Sequence, residues 1–127
     1  MYRIKKEFTM DCSHFLEDHE GKCKNLHGHS YKVEVWLTGY GLNEMGMLLD
    51  FGKIKEVIHD KYDHQCLNDF PEFDLDKDGV RPTAENMAQF FYKIIHMICK
   101  GEEHDVGVQK VRIWETETCY AEYSKEW

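Results

Sequence analysis

The 127-residue chain is 42% hydrophobic, enough for one domain with its own core, and it holds no apolar run long enough to span a bilayer. Twenty-four acidic residues against sixteen basic ones give a formal charge of −8, which argues against a nucleic-acid surface and requires any phosphorylated ligand to find a local basic pocket. The five cysteines (Cys12, Cys23, Cys66, Cys99, Cys119) are odd in number and lack CxxC spacing, which disfavours a disulfide framework and a zinc ribbon.

The opening MYRIKKEF carries basic residues with no apolar h-region after them, so the cytoplasm is the expected location. Tyr2, Ile4, Phe8 and Met10 share a parity and predict a first strand, although Lys6 interrupts it. Tyr31, Val33, Val35 and Leu37 alternate with Lys32, Glu34 and Thr38, a half-buried strand ended by Gly39 and Gly41.

Asp50 is a fitting N-cap for a helix with Ile54, Val57, Ile58 and Tyr62 on one stripe, ending near Asp63. A second helix opens at Pro82 and Thr83, carries Met87, Phe90, Phe91, Ile94, Ile95 and Ile98, and stops at Lys100 and Gly101. Val106, Val108, Val111 and Ile113 form a strand whose parity breaks near Lys110, the mark of a bulge, and Cys119, Ala121 and Tyr123 form its hairpin partner. The order ββααββ predicts an α+β domain over residues 1–127, with a four-stranded antiparallel sheet and both helices on one face.

The stretch CKNLHGHSYKVEV, from Cys23, concentrates metal-ligand chemistry. His27 and His29 are two apart at the entry to a strand, so both rings leave one face, and an antiparallel first strand would deliver His14 beside them. With Cys23 as a fourth ligand the site is closed and structural; without it, three histidines leave a position open for substrate and a free thiol nearby. Spacing leaves both readings open.

Other candidates are weaker. DLDKDGVRPTAE, Asp74 to Glu85, fits the calcium-loop pattern, but Pro71 stands where the incoming helix should be, so an acidic solvated loop is the better expectation. Asp63-His64 closes the first helix as a pair that can share a proton, and Glu115 in WETET reads by spacing alone as a solvated hairpin residue.

CKNLHGHSYKVEV, LLDFGKIKEVI, YDHQCLND, RPTAENMAQFF and WETET together, in this order over essentially the whole chain, resemble the 6-pyruvoyltetrahydropterin and 6-carboxytetrahydropterin synthase family. The resemblance implies the tunnelling fold, in which trimers close a twelve-stranded barrel and two trimers stack into a homohexamer. It implies one Zn2+ per subunit on His14, His27 and His29, with Cys23 as a catalytic cysteine that is not a ligand. It makes Asp63 and His64 acid/base partners that reach Cys23 across a subunit boundary. It gives Glu115 the task of anchoring the pterin and places Thr83 and Glu85 in the same pocket.

The implied substrate is 7,8-dihydroneopterin triphosphate. Relatives of the queuosine pathway lose triphosphate and acetaldehyde to give 6-carboxytetrahydropterin, and the compact length and CKNLHGHSY wording resemble these. The alternatives are 6-pyruvoyltetrahydropterin synthase, which stops after triphosphate elimination, and a non-catalytic zinc-stabilised binding module in which Cys23 completes the coordination.

Overall fold

The computed structural model describes residues 1–125. Two long strands, β1 (Tyr2–His14) and β2 (His27–Gly39), pair antiparallel from Tyr2 opposite Gly39 to His14 opposite His27. Helix α1 (Phe51–Tyr62), a two-residue strand β3 (Gln65–Cys66), helix α2 (Ala84–Lys100), β4 (Gly107–Trp114) and β5 (Tyr120–Tyr123) follow.

The sheet order is β3-β1-β2-β4-β5. All pairings are antiparallel except that of β3, which runs parallel to β1 through Cys12 and Ser13. The expected four-stranded antiparallel sheet is therefore a five-stranded mixed one, with β3 inserted between the helices in the element order. His64, at φ 60°, turns the backbone sharply after α1, and its N–H donates to the Asp11 carbonyl at 2.7 Å, which lays Gln65 and Cys66 along the edge of β1. Two residues carry no periodicity for a sequence reading to find.

The period-2 pattern sorts the sheet into a core face and a polar face. Phe8, Met10 and Cys12 of β1, Tyr31, Val33, Val35 and Leu37 of β2, and Val111 and Ile113 of β4 are buried in one cluster with Ile54, Ile58 and Tyr62 of α1 and Met87, Phe91 and Ile95 of α2. Both helices thus cover the same face. The strand ends of that face carry the histidines.

Local chemistry explains the element ends. The Asp50 carboxylate accepts from the Gly52 N–H at 2.8 Å, and Thr83 Oγ1 accepts from the Asn86 N–H at 3.1 Å; a cap of this kind is worth about 1 kcal/mol. In β4 the register passes from Trp36 opposite Lys110 to Leu37 opposite Val108, so Gln109 is the extra residue of the expected bulge. The segment before α2 forms the 3-10 turns Pro71–Phe73 and Leu75–Lys77, so the calcium-loop pattern has no incoming helix. Its first carboxylate, Asp74, accepts from the Asp76 N–H at 3.0 Å.

On the polar face Glu34 is 4% exposed, held by Lys5 at 2.6 Å and by the indole N–H of Trp114. Among the described residues no strand covers the outer edge of β1 before Cys12, or the outer edge of β5. None of the described helices is long and apolar enough to cross a membrane.

Candidate active site

Three histidines meet where β1 ends and β2 begins. His14 and His27 are register partners and His29 lies two residues along β2, so the strand period brings all three rings to the helix-covered face. His14 Nε2 and His27 Nε2 are 3.1 Å apart, and one nitrogen from each ring lies within 4.8 Å of the others.

The outer nitrogens of two rings are already engaged. His14 Nδ1 lies 2.8 Å from the carbonyl oxygen of Pro82, and His27 Nδ1 lies 2.7 Å from that of Asn25. A carbonyl only accepts, so each ring carries its proton on Nδ1 and turns a lone pair on Nε2 inward, the tautomer that metal ligation requires. The Tyr31 hydroxyl, fully buried, sits 3.2 Å from His14 Nδ1.

His29 Nε2 is buried without a hydrogen-bond partner. Such an orphan is rare in a folded protein and marks a missing partner. Burial also pushes the pKa of His14 and of His29 below the ordinary 6.5, which keeps both imidazoles neutral. Three convergent imidazoles, one of them with a buried nitrogen that makes no hydrogen bond, fit a zinc-type cation.

The remaining candidates divide between this cluster and a second one. Glu115, directly after β4, points its Oε1 at His29 Nε2 (3.3 Å) and at His14 Nε2 (3.6 Å), so it is not the solvated hairpin residue its spacing suggested. Cys23 lies in the 3-10 turn Lys22–Lys24, half-buried, and its carbonyl accepts from the Leu16 N–H at 2.8 Å to close the loop between β1 and β2. The three-histidine group does not include its thiol.

Asp63 and His64 form the second cluster, with Asp11. Asp63 Oδ1 accepts from the Asp11 N–H at 2.8 Å, and that hydrogen bond holds its carboxyl below the usual carboxylate range. Asp11 in turn accepts from the Ser30 hydroxyl at 2.6 Å, on the polar face of the sheet. An open cavity of about 430 Å³ runs beside them, lined by Asp11, Ser30, His64, Gln65 and Cys66 among others. Thr83 is engaged as the cap of α2, and Glu85 is exposed in its first turn.

The sequence profile of 6-pyruvoyl tetrahydropterin synthase matches residues 3–126. This protein belongs to that family. Among its relatives, the 6-carboxy-5,6,7,8-tetrahydropterin synthase of Haemophilus influenzae is 33% identical over 147 aligned positions, covering 98% of this chain and 100% of that protein. The protein of the same name from Synechocystis is 35% identical, covering 97% of this chain and 93% of its own. Among solved structures, the 6-pyruvoyl tetrahydropterin synthase of Caenorhabditis elegans superposes with a TM-score of 0.75 at 24% identity, over 98% of this chain and 96% of that one, which shows a shared fold.

Within this member of the 6-pyruvoyl tetrahydropterin synthase family, sequence reasoning missed the groups that orient the histidines. The carbonyls of Pro82 and Asn25 are backbone atoms, which no residue type advertises. Tyr31 was legible only as a core residue of β2. Asp11 was hidden by its place on the polar side of β1, where an acidic residue is unremarkable.

Proposed function

We propose that this protein is a zinc-dependent 6-carboxy-5,6,7,8-tetrahydropterin synthase, a single cytoplasmic domain over residues 1–127 serving queuosine-type 7-deazapurine synthesis. It converts 7,8-dihydroneopterin triphosphate with loss of triphosphate and acetaldehyde. The observation that carries the reading is the buried His29 Nε2, which makes no hydrogen bond, facing two histidines whose other nitrogens are tied to backbone carbonyls. The names of the relatives at 33% and 35% identity favour the carboxy product.

His14, His27 and His29 hold the ion. When bound, zinc supplies Lewis acidity toward the hydroxyls of the substrate's three-carbon arm. Glu115 accepts paired hydrogen bonds from a pterin ring N–H and the exocyclic amino group and so orients the ring, with Thr83 and Glu85 beside it. Cys23, outside the ligand set, takes the proton through its sulfur from a C–H bond next to those hydroxyls. His64 passes that proton on as triphosphate leaves, and the Asp63 carboxylate orients the imidazole and stabilises its charged form.

The assembly is a homohexamer built as two trimers, in which Asp63 and His64 serve the Cys23 of a neighbouring copy. Two features favour this reading. Asp63 and His64 are fastened to the outer edge of β1, whereas the histidine cluster lies on the helix-covered face. Among the described residues, the outer edges of β5 and of β1 before Cys12 are unpaired hydrogen-bonding templates of the kind that a closed ring of copies satisfies.

The test compares wild type, Cys23→Ala and His27→Ala for bound zinc and for triphosphate release from 7,8-dihydroneopterin triphosphate. Cys23→Ala keeps zinc and loses turnover; His27→Ala loses both. Zinc lost from the cysteine variant would return Cys23 to the ligand set and the protein to a structural module.

A further inference from the structure

His14 is the last residue of β1 to face a partner on β2, and the pairing with β3 stops one residue earlier, at Ser13. The next residue, Phe15, is nevertheless held as a strand residue would be. Its N–H donates to Asn68 Oδ1 at 2.9 Å, and its carbonyl accepts from Asn68 Nδ2 at 3.0 Å. Only one orientation of the carboxamide makes both bonds, since its oxygen accepts and its nitrogen donates.

The place of Asn68 comes from the fold around it. After Cys66 the backbone leaves the edge of β1 and closes the 3-10 turn Leu67–Asp69, with the Leu67 side chain fully buried and the Phe70 N–H donating to the Leu67 carbonyl at 3.1 Å. Two residues beyond each member of the Ser13–Cys66 pair, the Asn68 side chain meets the Phe15 backbone. A side chain thus continues, in register, a parallel pairing that the backbone has left.

Phe15 also stands between two parts of the site. On one side is His14, whose ring is tied to the Pro82 carbonyl. On the other is Leu16, whose N–H donates to the Cys23 carbonyl and closes the loop that carries the thiol. Strand ends open when their hydrogen bonds are lost, and an opening at Phe15 begins next to a metal ligand.

We propose that Asn68 is a positioning residue for His14: by clamping the Phe15 backbone it keeps the end of β1, and with it the His14 imidazole, in the geometry that zinc needs. This rests on the reading of His14, His27 and His29 as the zinc ligands. Asn68 touches neither the ion nor the substrate in this account, so its loss is felt first in zinc affinity.

The test separates positioning from general stability. Zinc dissociation constants of full-length wild type, Asn68→Ala, Asn68→Asp and Asp50→Ala are measured by competition with a chromogenic chelator, well below the melting temperature of each zinc-free form. Asn68→Ala loses both hydrogen bonds, whereas Asn68→Asp keeps the acceptor for the Phe15 N–H and loses the donor to its carbonyl. Both weaken zinc binding by about tenfold, while Asp50→Ala, which lowers the melting temperature by removing the cap of α1, stays within about twofold of wild type. A folded Asn68 variant that melts lower but binds zinc within about twofold of wild type overturns the role, as does equal weakening in Asp50→Ala. If the alanine variant does not fold, the aspartate variant decides by the same criterion. Wild-type protein that binds no zinc overturns the metal reading itself, and this role with it.

Discussion

His14 and His27 face each other as register partners across β1 and β2, with their Nε2 atoms 3.1 Å apart. Burial depresses the pKa of His14, and of His29 beside it, below the ordinary 6.5, so below that pH the unfolded protein binds protons that the folded one refuses. The sign follows: this contribution to stability is complete above about pH 6.5 and is lost as pH falls from there through the folded values. Chelator-treated protein should therefore melt at a progressively lower temperature between about pH 7.5 and about pH 5.5, and zinc, which keeps protons off the same nitrogens in the folded state, should raise the melting temperature while making the slope steeper. Differential scanning fluorimetry on both forms checks it; a melting temperature that rises on acidification of the metal-free protein contradicts it.

His64 occupies the left-handed region at φ 60°. A non-glycine residue there costs about 1 kcal/mol relative to glycine, and the strain persists because the turn into β3 needs it. His64→Gly should be more stable than His64→Ala by about 1 kcal/mol in urea unfolding, with both variants losing turnover. Alanine equal to or better than glycine would show that the backbone is not strained.

The thiols should separate by burial. Burial pushes Cys12 up to about 12 and Cys99 up to about 11, whereas Cys23 and Cys66 are half-buried and Cys119 is exposed. Alkylation at neutral pH followed by peptide mass mapping should label Cys23, Cys66 and Cys119 in zinc-loaded protein and spare Cys12 and Cys99 until denaturant is added. Protection of Cys23 that lifts on chelation would mean that the thiol closes the metal site.

If one copy supplies Cys23 and its neighbour supplies Asp63 and His64, inactive variants should rescue each other. Mixing Cys23→Ala with His64→Ala in equal amounts through unfolding and refolding should restore about a quarter of wild-type turnover, the share of sites that draw both intact halves. No recovery in mixed assemblies would place the whole site within one subunit.

Much of this was legible in the residues. The alternation of Tyr31, Val33, Val35 and Leu37 fixed the phase of β2, and with it the common face of His27 and His29. Asp50 and Thr83 marked both helix starts because capping is local chemistry. The parity break near Lys110 marked the bulge that falls at Gln109. What escaped were relationships made by the fold. The pairing of Gln65 and Cys66 with β1 rests on a left-handed turn at His64, which sequence pattern does not encode. The approach of Glu115 to the histidines depends on β4 lying beside β2, with both helices intervening in the sequence. The Asp74–Glu85 pattern misled in the opposite sense, since its carboxylate spacing is present while the incoming helix is not.

The most direct measurement is the ratio of acetaldehyde to triphosphate released when zinc-loaded protein is incubated with 7,8-dihydroneopterin triphosphate. The account predicts equimolar release together with 6-carboxytetrahydropterin. Triphosphate without acetaldehyde would make the product 6-pyruvoyltetrahydropterin and contradict the proposed reaction, and the absence of both would contradict catalysis on this substrate.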